Sequence, residues 1–377
     1  MKWGTIEKHV LLNIDILIQS SQHKIYLLGQ QGSMLEEQVR ERFPQVHIIN
    51  CDISLDKAHL SFKLSKEVLR MVRVFNITLI HCFKFDYIYS VILALIWSRR
   101  SWIKLYFSLN KEVDFSSLGP IKRWFKSMML KRVTIFSVFS KVMADYLIQN
   151  FSLLPESLIV TGLGNLRPSL IHQDVSAILP RSIGCFISWS EERIEKINSI
   201  FYLIERLGTS YSYYFISDRS WESHPLYRVI QQSLDDRQFD FASIKFVNID
   251  FYRQALRPMG LVINLETETP LHDLDILGPS DGVLVISGRS ASRVDWFNQL
   301  RRQVLDYPQL SKLPLPHFRH DDWGEVFRVV TQSLEFLASY QQFFTLVRPY
   351  IHQTHSFESY QHEFKLLYSQ NPKKITI

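Results

Sequence analysis

Apolar residues along the chain follow two different spacings. Short continuous apolar runs, such as those within Lys24–Gly29 and Ile77–His81, predict buried β-strands. Between such runs the apolar residues recur every three or four positions, as at Val10, Ile14 and Leu17, which predicts helices with one buried face. Strands and helices that alternate in this way are typical of a doubly wound parallel sheet, so we predict an α/β fold.

The alternation occurs twice along the chain. It runs from residue 6 to residue 161, stops over a segment that contains Pro168 and Pro180, and begins again at residue 183. A chain of 377 residues is also too long for one ordinary core, so we predict two Rossmann-like domains that face each other across a cleft. The predicted bounds are 1–165 for the N-terminal domain, 166–181 for the linker, 182–348 for the C-terminal domain and 349–377 for a final segment.

The final part of the chain has helical spacing over 323–347 and again over 357–369. Pro349 lies between these two stretches. Because proline has no amide hydrogen and disfavours a helical residue before it, we predict that the helix breaks or kinks near Arg348.

The composition is that of a folded protein, with 46% apolar and 21% charged residues. The start, Met1–Gly4, lacks the apolar core of a secretory signal, and the longest apolar stretch, Tyr87–Trp97, is too short to span a bilayer. We therefore predict a cytoplasmic location. Cys51, Cys82 and Cys185 are widely separated and adjoin apolar sequence, which favours reduced core thiols over metal ligands or a disulfide.

Positive charge is concentrated in one segment. Between Trp97 and Arg132 there are nine Lys or Arg residues and two acidic ones, interleaved with Trp102, Trp124 and Met128, whereas the whole chain carries a net charge of +6. One interpretation is a helix that lies on an anionic membrane surface. The other is that Trp124 and the methionines face the core while the lysines are solvated. No recognised nucleic-acid-binding module accompanies the segment, so we predict no nucleic-acid partner.

A cluster of acidic residues follows a strand that is predicted to be buried. The apolar run Gly260–Leu265 leads directly into Glu266, Glu268, Asp273 and Asp275. Ligands of parallel sheets bind at the carboxyl ends of the strands, and residues 268 and 275 would lie on one face of a helix, so both could contact one polyhydroxylated ligand. The alternative is a solvated helix whose acidic first turn is favoured by the helix dipole.

Several segments resemble the GT-B-fold glycosyltransferases, and glycosyltransferase family 4 in particular. Gly4–Val10 resembles the glycine-rich loop and first helix of that family, Ser140–Leu147 its last N-domain helix, and His355–Tyr368 its final helix, which returns to the N-domain. In the family a central strand precedes the glycine-rich loop, but here only Met1–Trp3 precede Gly4. The resemblance therefore implies that the first strand is missing, and that either the true start lies upstream or the sheet is rebuilt without it.

The resemblance also implies roles for individual residues. Arg193 takes the place of the family's diphosphate-binding lysine, Ser188 stands where the family has an arginine, and Asp275 matches an acid that contacts the ribose. It implies that Arg193 and Asp275 face one pocket. His9 and His81 look like the family's other histidines, either structural or catalytic. The implied catalytic residues are Asn110, Glu266 and Glu268, and the implied donor-binding residues are Gly4, Thr5, Ser188, Arg193, His272 and Asp275.

The function implied by the resemblance is that of a retaining glycosyltransferase in surface polysaccharide synthesis. It would use a UDP- or GDP-sugar as donor, a saccharide or lipid-linked saccharide as acceptor, and no metal or other cofactor. The alternative is an inactive GT-B protein that serves as a binding or assembly partner, which Ser188, Asn110 and the missing first strand favour. A sugar-phosphate epimerase of the same fold is a third possibility, disfavoured because the matched segments follow the transferase pattern.

Overall fold

The computed structural model describes the chain in twelve stretches: 5–19, 23–51, 61–109, 120–162, 179–188, 194–217, 220–239, 243–248, 259–265, 272–319, 323–369 and 374–376. The chain divides into two compact units. Unit 1 contains the described residues up to 162 and from 357 onward, and unit 2 contains those from 179 to 356. Each unit is built on one sheet whose described strands all pair in parallel. The predicted α/β fold is confirmed.

Unit 1 contains a seven-stranded sheet covered by helices. Its strands are β1 (Lys24–Gly29), β2 (His47–Asn50), β3 (Leu79–Cys82), β4 (Lys104–Leu109), β5 (Ile135–Val138), β6 (Leu158–Val160) and β13 (Lys374–Thr376). Its helices are α1 (Thr5–Gln19), α2 (Met34–Arg42), α3 (Phe62–Val74), α4 (Phe85–Ser98), α5 (Pro120–Leu130), α6 (Lys141–Phe151) and α14 (Phe357–Ser369). The predicted strands at Lys24–Gly29 and Ile77–His81 correspond to β1 and β3, and the helical spacing over 357–369 corresponds to α14, whereas β13 was not predicted.

The short strand β13 lies at the centre of this sheet, in the order β2-β1-β13-β3-β4-β5-β6. It pairs in parallel with β1 on one side and with β3 on the other. No strand precedes α1 in the described part of unit 1. In the described residues the central place of this sheet is therefore held by β13, and both alternatives for the first strand stay open.

Serine residues begin several helices of unit 1. The hydroxyl oxygens of Ser33, Ser61 and Ser140 accept hydrogen bonds from the amides of Glu36, Leu64 and Met143 at 3.1, 3.3 and 3.2 Å. Such caps satisfy amides that have no partner inside the helix. They fix where α2, α3 and α6 begin.

Unit 2 contains a six-stranded sheet in the order β12-β11-β10-β7-β8-β9. Its strands are β7 (Leu179–Phe186), β8 (Ser212–Ser217), β9 (Ile244–Asn248), β10 (Met259–Asn264), β11 (Leu284–Gly288) and β12 (His317–Phe318). Its helices are α7 (Ile194–Leu207), α8 (Tyr227–Asp236), α9 (Asp273–Ser280), α10 (Ala291–Arg302), α11 (Pro308–Ser311), α12 (Trp323–Glu335) and α13 (Leu337–His355). The helix that the pattern predicts at 250–256 lies outside the described residues.

Of the break or kink predicted near Arg348, the break is wrong, and the kink stays a prediction. Helix α13 continues through Pro349, and the helical segment is interrupted instead at Phe336 and at Ser356, whose extended backbone ends α13. One proline inside a long helix removes one hydrogen bond. Burial of Tyr340, Phe344 and other apolar residues along α13 is sufficient to maintain the helix across it.

The interior of both units is apolar, and the three cysteines belong to it. Cys51, Cys82 and Cys185 are buried free thiols, as predicted, and burial raises the pKa of Cys82 and of Cys185 to about 12. They are therefore thiols rather than reactive thiolates. Within the described residues, no helix is long and apolar enough to cross a membrane, and no group of three or more His, Cys, Asp or Glu is placed to hold a metal ion.

Candidate functional site

The carboxyl edge of the unit 2 sheet has a topological switch point. From β7 the chain proceeds to β8 and β9 on one side, and then returns to β10, β11 and β12 on the other. Open α/β sheets bind ligands in the crevice at such a point, beyond the carboxyl ends of the two central strands. Ser188 follows β7 and His272 and Asp275 follow β10, so three of the predicted donor-binding residues lie at this edge.

His272 and Asp275 form a reciprocal cap at the start of α9. Nδ1 of His272 accepts a hydrogen bond from the Leu274 amide at 3.2 Å, and the His272 amide donates one to Oδ2 of Asp275 at 2.8 Å. This capping box satisfies two amides at the helix start. The His272 ring packs against Phe186 at the end of β7, with 5.1 Å between the ring centroids. The cap thus joins the carboxyl ends of β7 and β10.

Asp275 also forms a buried ion pair. Nε of Arg293, in the first turn of α10, donates to Oδ2 of Asp275 at 2.9 Å, and the two side chains are 0% and 6% exposed. Burial opposes the ionisation of Asp275, but the Arg293 charge and its hydrogen bond together with the His272 amide hold the pKa of this carboxyl below its ordinary value. Asp275 is an anion, and its interactions with Arg293 keep it in place.

Further hydrogen bonds fix the two partners of the ion pair. Arg293 donates from a terminal nitrogen to the Gly288 carbonyl at 2.9 Å, and the Trp296 indole donates to the Asp275 carbonyl at 3.2 Å. Gly278 lets α9 approach β11 closely, because a Cβ at this residue would lie 2.2 Å from Cγ2 of Val285. The glycine in the middle of this helix is therefore explained by packing.

A cavity of about 20 Å³ lies beside the ion pair and is lined in part by Asp275, Arg293, Trp296 and His317. Burial lowers the pKa of His317 to about 4, although Asp275 opposes that shift, so the ring is neutral at pH 7. Its Nε2 atom is buried and makes no hydrogen bond within the described part of the chain. A space of this size admits one water molecule and no sugar nucleotide, so a donor would bind outside the cavity.

Ser188 is held through its carbonyl group. Nδ1 of His224 accepts a hydrogen bond from the Leu226 amide at 3.1 Å, so the neutral ring carries its proton on Nε2, which lies 3.3 Å from the Ser188 carbonyl oxygen. His224 in turn stacks on Trp221, with 4.7 Å between ring centroids. The loop after β7 is therefore fixed where it leaves the sheet.

Five of the remaining predicted site residues lie outside the described part of the chain, namely Gly4, Asn110, Arg193, Glu266 and Glu268. Thr5 is the first residue of α1 in unit 1. The structure therefore brings together Ser188, His272 and Asp275 at one sheet edge, while the pocket shared by Arg193 and Asp275 and the catalytic assignments remain predictions.

The two unit 1 histidines belong to the protein interior. Nδ1 of His81 donates to the Tyr368 hydroxyl at 2.5 Å, and Nε2 accepts from the Ser108 hydroxyl at 2.8 Å. The Tyr368 hydroxyl donates onward to Oδ1 of Asn13 at 3.1 Å. Burial lowers the pKa of His81 to about 3, with a smaller effect of His9. This geometry supports the structural interpretation of His81, and His9 is equally buried.

Two residues of the unit 2 cluster, Arg293 and His317, were missed by the sequence analysis. Ser290 caps α10 by accepting from the Arg293 amide at 3.1 Å, which places the arginine in the first turn directly after a buried strand. The sequence did contain a signal for Arg293. Ser290, a typical helix cap, follows an apolar run, and the arginine comes three residues after it. His317 has no comparable signal, because it is brought near Ser287 only by strand pairing.

Helix α5 presents large apolar side chains to solvent. Ile121, Trp124, Phe125 and Met128 are exposed, with Trp124 at 65%, whereas Met129 is buried. The interpretation that Trp124 and the methionines all face the core is wrong, because only Met129 does. We use the name aromatic-basic face for the exposed side chains of three helices and the turn after α4, namely Phe62, Lys66, Arg70, Arg73, Trp97, Arg99, Trp102, Ile121, Trp124, Phe125 and Met128.

Comparison with known proteins supports the fold assignment. No protein-family model and no curated protein matches the chain. A glycosyltransferase from Rickettsia africae is similar in structure, with a TM-score of 0.69 and 13% identity over 97% of this chain and 95% of that one. Anabaena HepE in complex with UDP is similar with a TM-score of 0.61 and 12% identity over 92% of this chain and 100% of the other.

The same fold also occurs in an enzyme of a different reaction class. A UDP-GlcNAc 2-epimerase from Neisseria meningitidis bound to UDP-GlcNAc is similar with a TM-score of 0.56 and 14% identity over 98% of this chain and 97% of the other. The chain therefore has the two-domain GT-B fold of these glycosyltransferases and of this epimerase.

Proposed function

We propose that the protein is a glycosyltransferase that binds a UDP-sugar at the carboxyl edge of the unit 2 sheet. The supporting observation is that Ser188, His272 and Asp275 lie together at the β7–β10 switch point, where parallel sheets bind their ligands. UDP is favoured over GDP because HepE and the Neisseria epimerase, which share this fold, are bound to UDP and to UDP-GlcNAc.

Within this proposal the unit 2 edge contributes positioning and charge. Arg193 would bind the diphosphate and Asp275 a ribose hydroxyl, with Glu266 or Glu268 near the sugar hydroxyls and Asn110 on the acceptor side. Charge builds on the departing nucleotide diphosphate in the transition state, so cations near it contribute most to the rate. The reaction would retain the anomeric configuration and need no metal or further cofactor.

The direct test is calorimetric titration with UDP, GDP and their glucose and N-acetylglucosamine conjugates. We expect heat with UDP and UDP-sugars, and slow release of UDP from the sugar nucleotide in the absence of acceptor. The anomeric configuration of the sugar released, read by NMR before mutarotation, distinguishes retention from inversion. Absence of binding by every nucleotide would contradict the proposal.

We also propose that the acceptor is a saccharide or lipid-linked saccharide of surface polysaccharide synthesis, and that the aromatic-basic face contacts the cytoplasmic membrane surface. The exposed aromatic side chains of α3, α4 and α5, together with the exposed cations Lys66, Arg70, Arg73 and Arg99, support this proposal. Aromatic residues partition into the interface, and each nearby cation adds about 1 kcal/mol of attraction to anionic lipids.

Vesicle sedimentation tests the membrane contact. The double variant Ile121→Ser Trp124→Ser should lose binding to vesicles with phosphatidylglycerol, whereas Val229→Ser, an exposed apolar residue of α8 in unit 2, should not. Equal binding of both variants, or binding that is insensitive to salt, would contradict a contact through this face.

The inactive alternative has one specific observation in its favour. The Asp275 carboxylate, which would contact a ribose, already forms an internal ion pair with Arg293. Nucleotide binding without any donor hydrolysis or transfer would support this alternative. Conversion of UDP-GlcNAc to its 2-epimer would instead support the epimerase.

A further inference from the structure

A buried aromatic pair connects three neighbouring strands of unit 2. Trp221 follows β8, and its indole N–H donates to the carbonyl of Phe215 in β8 at 3.0 Å and to that of Val247 in β9 at 3.1 Å. The ring of His224 stacks on this indole, and both residues are buried. The Trp221 side chain thus joins β8 to β9 and gives the His224 ring a fixed support beside β7.

We propose that His224 is a positioning residue of the donor site and that it acts through the carbonyl group of Ser188. Its hydrogen bond to that carbonyl fixes the point at which the connection between β7 and α7 leaves the sheet. Arg193 belongs to this connection. The inference rests on the function proposed above, because the position of the connection affects activity only if the connection contacts the nucleotide.

The two ring nitrogens of His224 have different partners. Nδ1 accepts a hydrogen bond from the Leu226 amide at 3.1 Å, in the turn that leads into α8. A neutral imidazole that accepts at Nδ1 carries its proton on Nε2, so Nε2 donates to the Ser188 carbonyl oxygen 3.3 Å away. The first contact stabilises the local turn, whereas the second joins that turn to a residue 36 positions earlier in the chain.

The connection that begins after Ser188 is short, and the elements on both sides of it are anchored. Residues 189–193 separate Ser188 from Ile194, where α7 begins. α7 packs through Ile197 and Phe201, which are fully buried, and the Phe201 ring lies 6.4 Å from that of Phe215 in β8. Fixed ends lower the entropy that a short connection loses when it binds a ligand. The hydrogen bond from His224 supplies one of these two anchors.

The diphosphate is the part of the nucleotide that this connection would contact. Arg193 directly precedes α7, and the amino end of a helix that follows a parallel strand favours an anion. Groups that bind a reacting ligand must be placed accurately, since a displacement of about 1 Å is enough to reduce the rate strongly. A shift of Ser188 should therefore weaken the binding of UDP without any change in the groups that contact it.

Asparagine and glutamine separate the two contacts of the imidazole. The side-chain oxygen of asparagine can occupy the place of Nδ1, so His224→Asn keeps the acceptor for the Leu226 amide and loses the donor to Ser188. The side-chain nitrogen of glutamine can reach the place of Nε2, so His224→Gln keeps the donor and loses the acceptor. Both variants lose the stacking on Trp221. His362→Asn, at an exposed histidine of α14 in unit 1, is the matched control.

The test combines a spectroscopic, a binding and a stability measurement on the full chain. The ¹³C chemical shift of the Ser188 carbonyl, which responds to hydrogen bonding at its oxygen, should change in His224→Asn and stay nearly constant in His224→Gln. In calorimetry, His224→Asn should bind UDP about fivefold more weakly, as expected for one lost hydrogen bond, and His224→Gln within about twofold of the unaltered chain. The thermal midpoints should follow the reverse order, with the lower value for His224→Gln.

Each outcome supports or overturns a definite statement. An unchanged Ser188 carbonyl shift in His224→Asn, or equal affinities of the two variants for UDP, would overturn the positioning role. If the carbonyl shift changes as expected but the unaltered chain binds no nucleotide, the proposed donor site is wrong and the positioning role is overturned with it. The two failures are distinguishable, because the carbonyl shift is measured without nucleotide.

Discussion

Each unit buries a polar cluster at the carboxyl edge of its parallel sheet. The two clusters differ in the interactions that compensate for the loss of water. In unit 1 the cluster is a chain of neutral hydrogen bonds from Ser108 through His81 and Tyr368 to Asn13. In unit 2 it is an ion pair between Asp275 and Arg293. A neutral chain contributes stability through several modest bonds, whereas a buried pair depends on both charges being present.

The difference bears on function. A fully satisfied neutral network has no charge to offer a ligand, and it fixes the position of α14 in unit 1. The unit 2 cluster keeps a carboxylate and a guanidinium at the very edge where a nucleotide is proposed to bind. Separate variants of the two clusters can therefore show which of them is structural and which is also poised for ligand binding.

Loss of one charge in unit 2 should have the largest effect. Arg293→Met leaves Asp275 buried without its partner, which costs about 3 to 5 kcal/mol of stability, while the double variant Asp275→Leu Arg293→Met should recover part of that loss, because it also removes the acceptor of the His272 amide. Denaturant unfolding measures both. Arg328→Met, which breaks an exposed pair with Glu325, is the matched control and should change stability by less than about 0.5 kcal/mol. If Arg293→Met changed the free energy of unfolding only slightly, the ion pair would have to be accessible to water, which would contradict its burial.

Loss of one hydroxyl in unit 1 should be next in magnitude. Tyr368→Phe leaves the Nδ1 hydrogen of His81 and Oδ1 of Asn13 without their bonds to this hydroxyl, and each such group costs about 1 to 3 kcal/mol. Tyr350→Phe is the control, because its hydroxyl makes one 3.4 Å contact with Gln299 at a half-buried position. Equal stability of the two variants in urea would argue against a closed network around Tyr368.

The acid dependence of stability should distinguish the buried histidines from the Asp275 carboxyl by pH range, because His317 of unit 2, with a pKa of about 4, loses its contribution in much the same range as His81. His81 is neutral in the folded chain with a pKa of about 3, against about 6.5 when unfolded. Its contribution is therefore complete above pH 6.5 and is lost as pH falls, by roughly 2 kcal/mol between pH 6.5 and 4.5. The Asp275 carboxyl, with its lowered pKa, loses its contribution only below about pH 4. His81→Gln should flatten the decline in the upper range, and an unchanged profile would contradict this assignment.

The sequence pattern predicted most of the fold because burial sets the periodicity of α1, α4 and β3 directly. It did not predict β13, since a strand of three residues carries no detectable period and its pairing with β1 and β3 joins segments far apart in the sequence. The helix break predicted near Arg348 was wrong for a different reason. Pro349 disfavours a helix locally, but the buried apolar residues along α13 maintain the helix across it.

The candidate site was predictable in part for similar reasons. Asp275 was found because acids that follow a buried run point to the carboxyl edge of a sheet. Arg293 was missed because its partnership with Asp275 is created by the adjacency of β10 and β11, at a separation of 18 residues. The difference between a ligand-binding acid and an ion-paired acid is therefore not encoded in the acidic cluster itself.

The smallest expected effect concerns Ser188, an uncharged residue at the unit 2 sheet edge. Ser188 stands at the end of β7, where the resemblance implies an arginine, so Ser188→Arg should add a charge-assisted bond to the diphosphate of UDP. We expect binding to tighten about tenfold, or 1.4 kcal/mol, in calorimetry. Ser188→Gln is similar in length but neutral and should leave the affinity unchanged, and the gain should fall at high salt. If arginine and glutamine have the same effect, the nucleotide does not bind at this edge, and the charged cluster of unit 2 is as purely structural as the neutral one of unit 1.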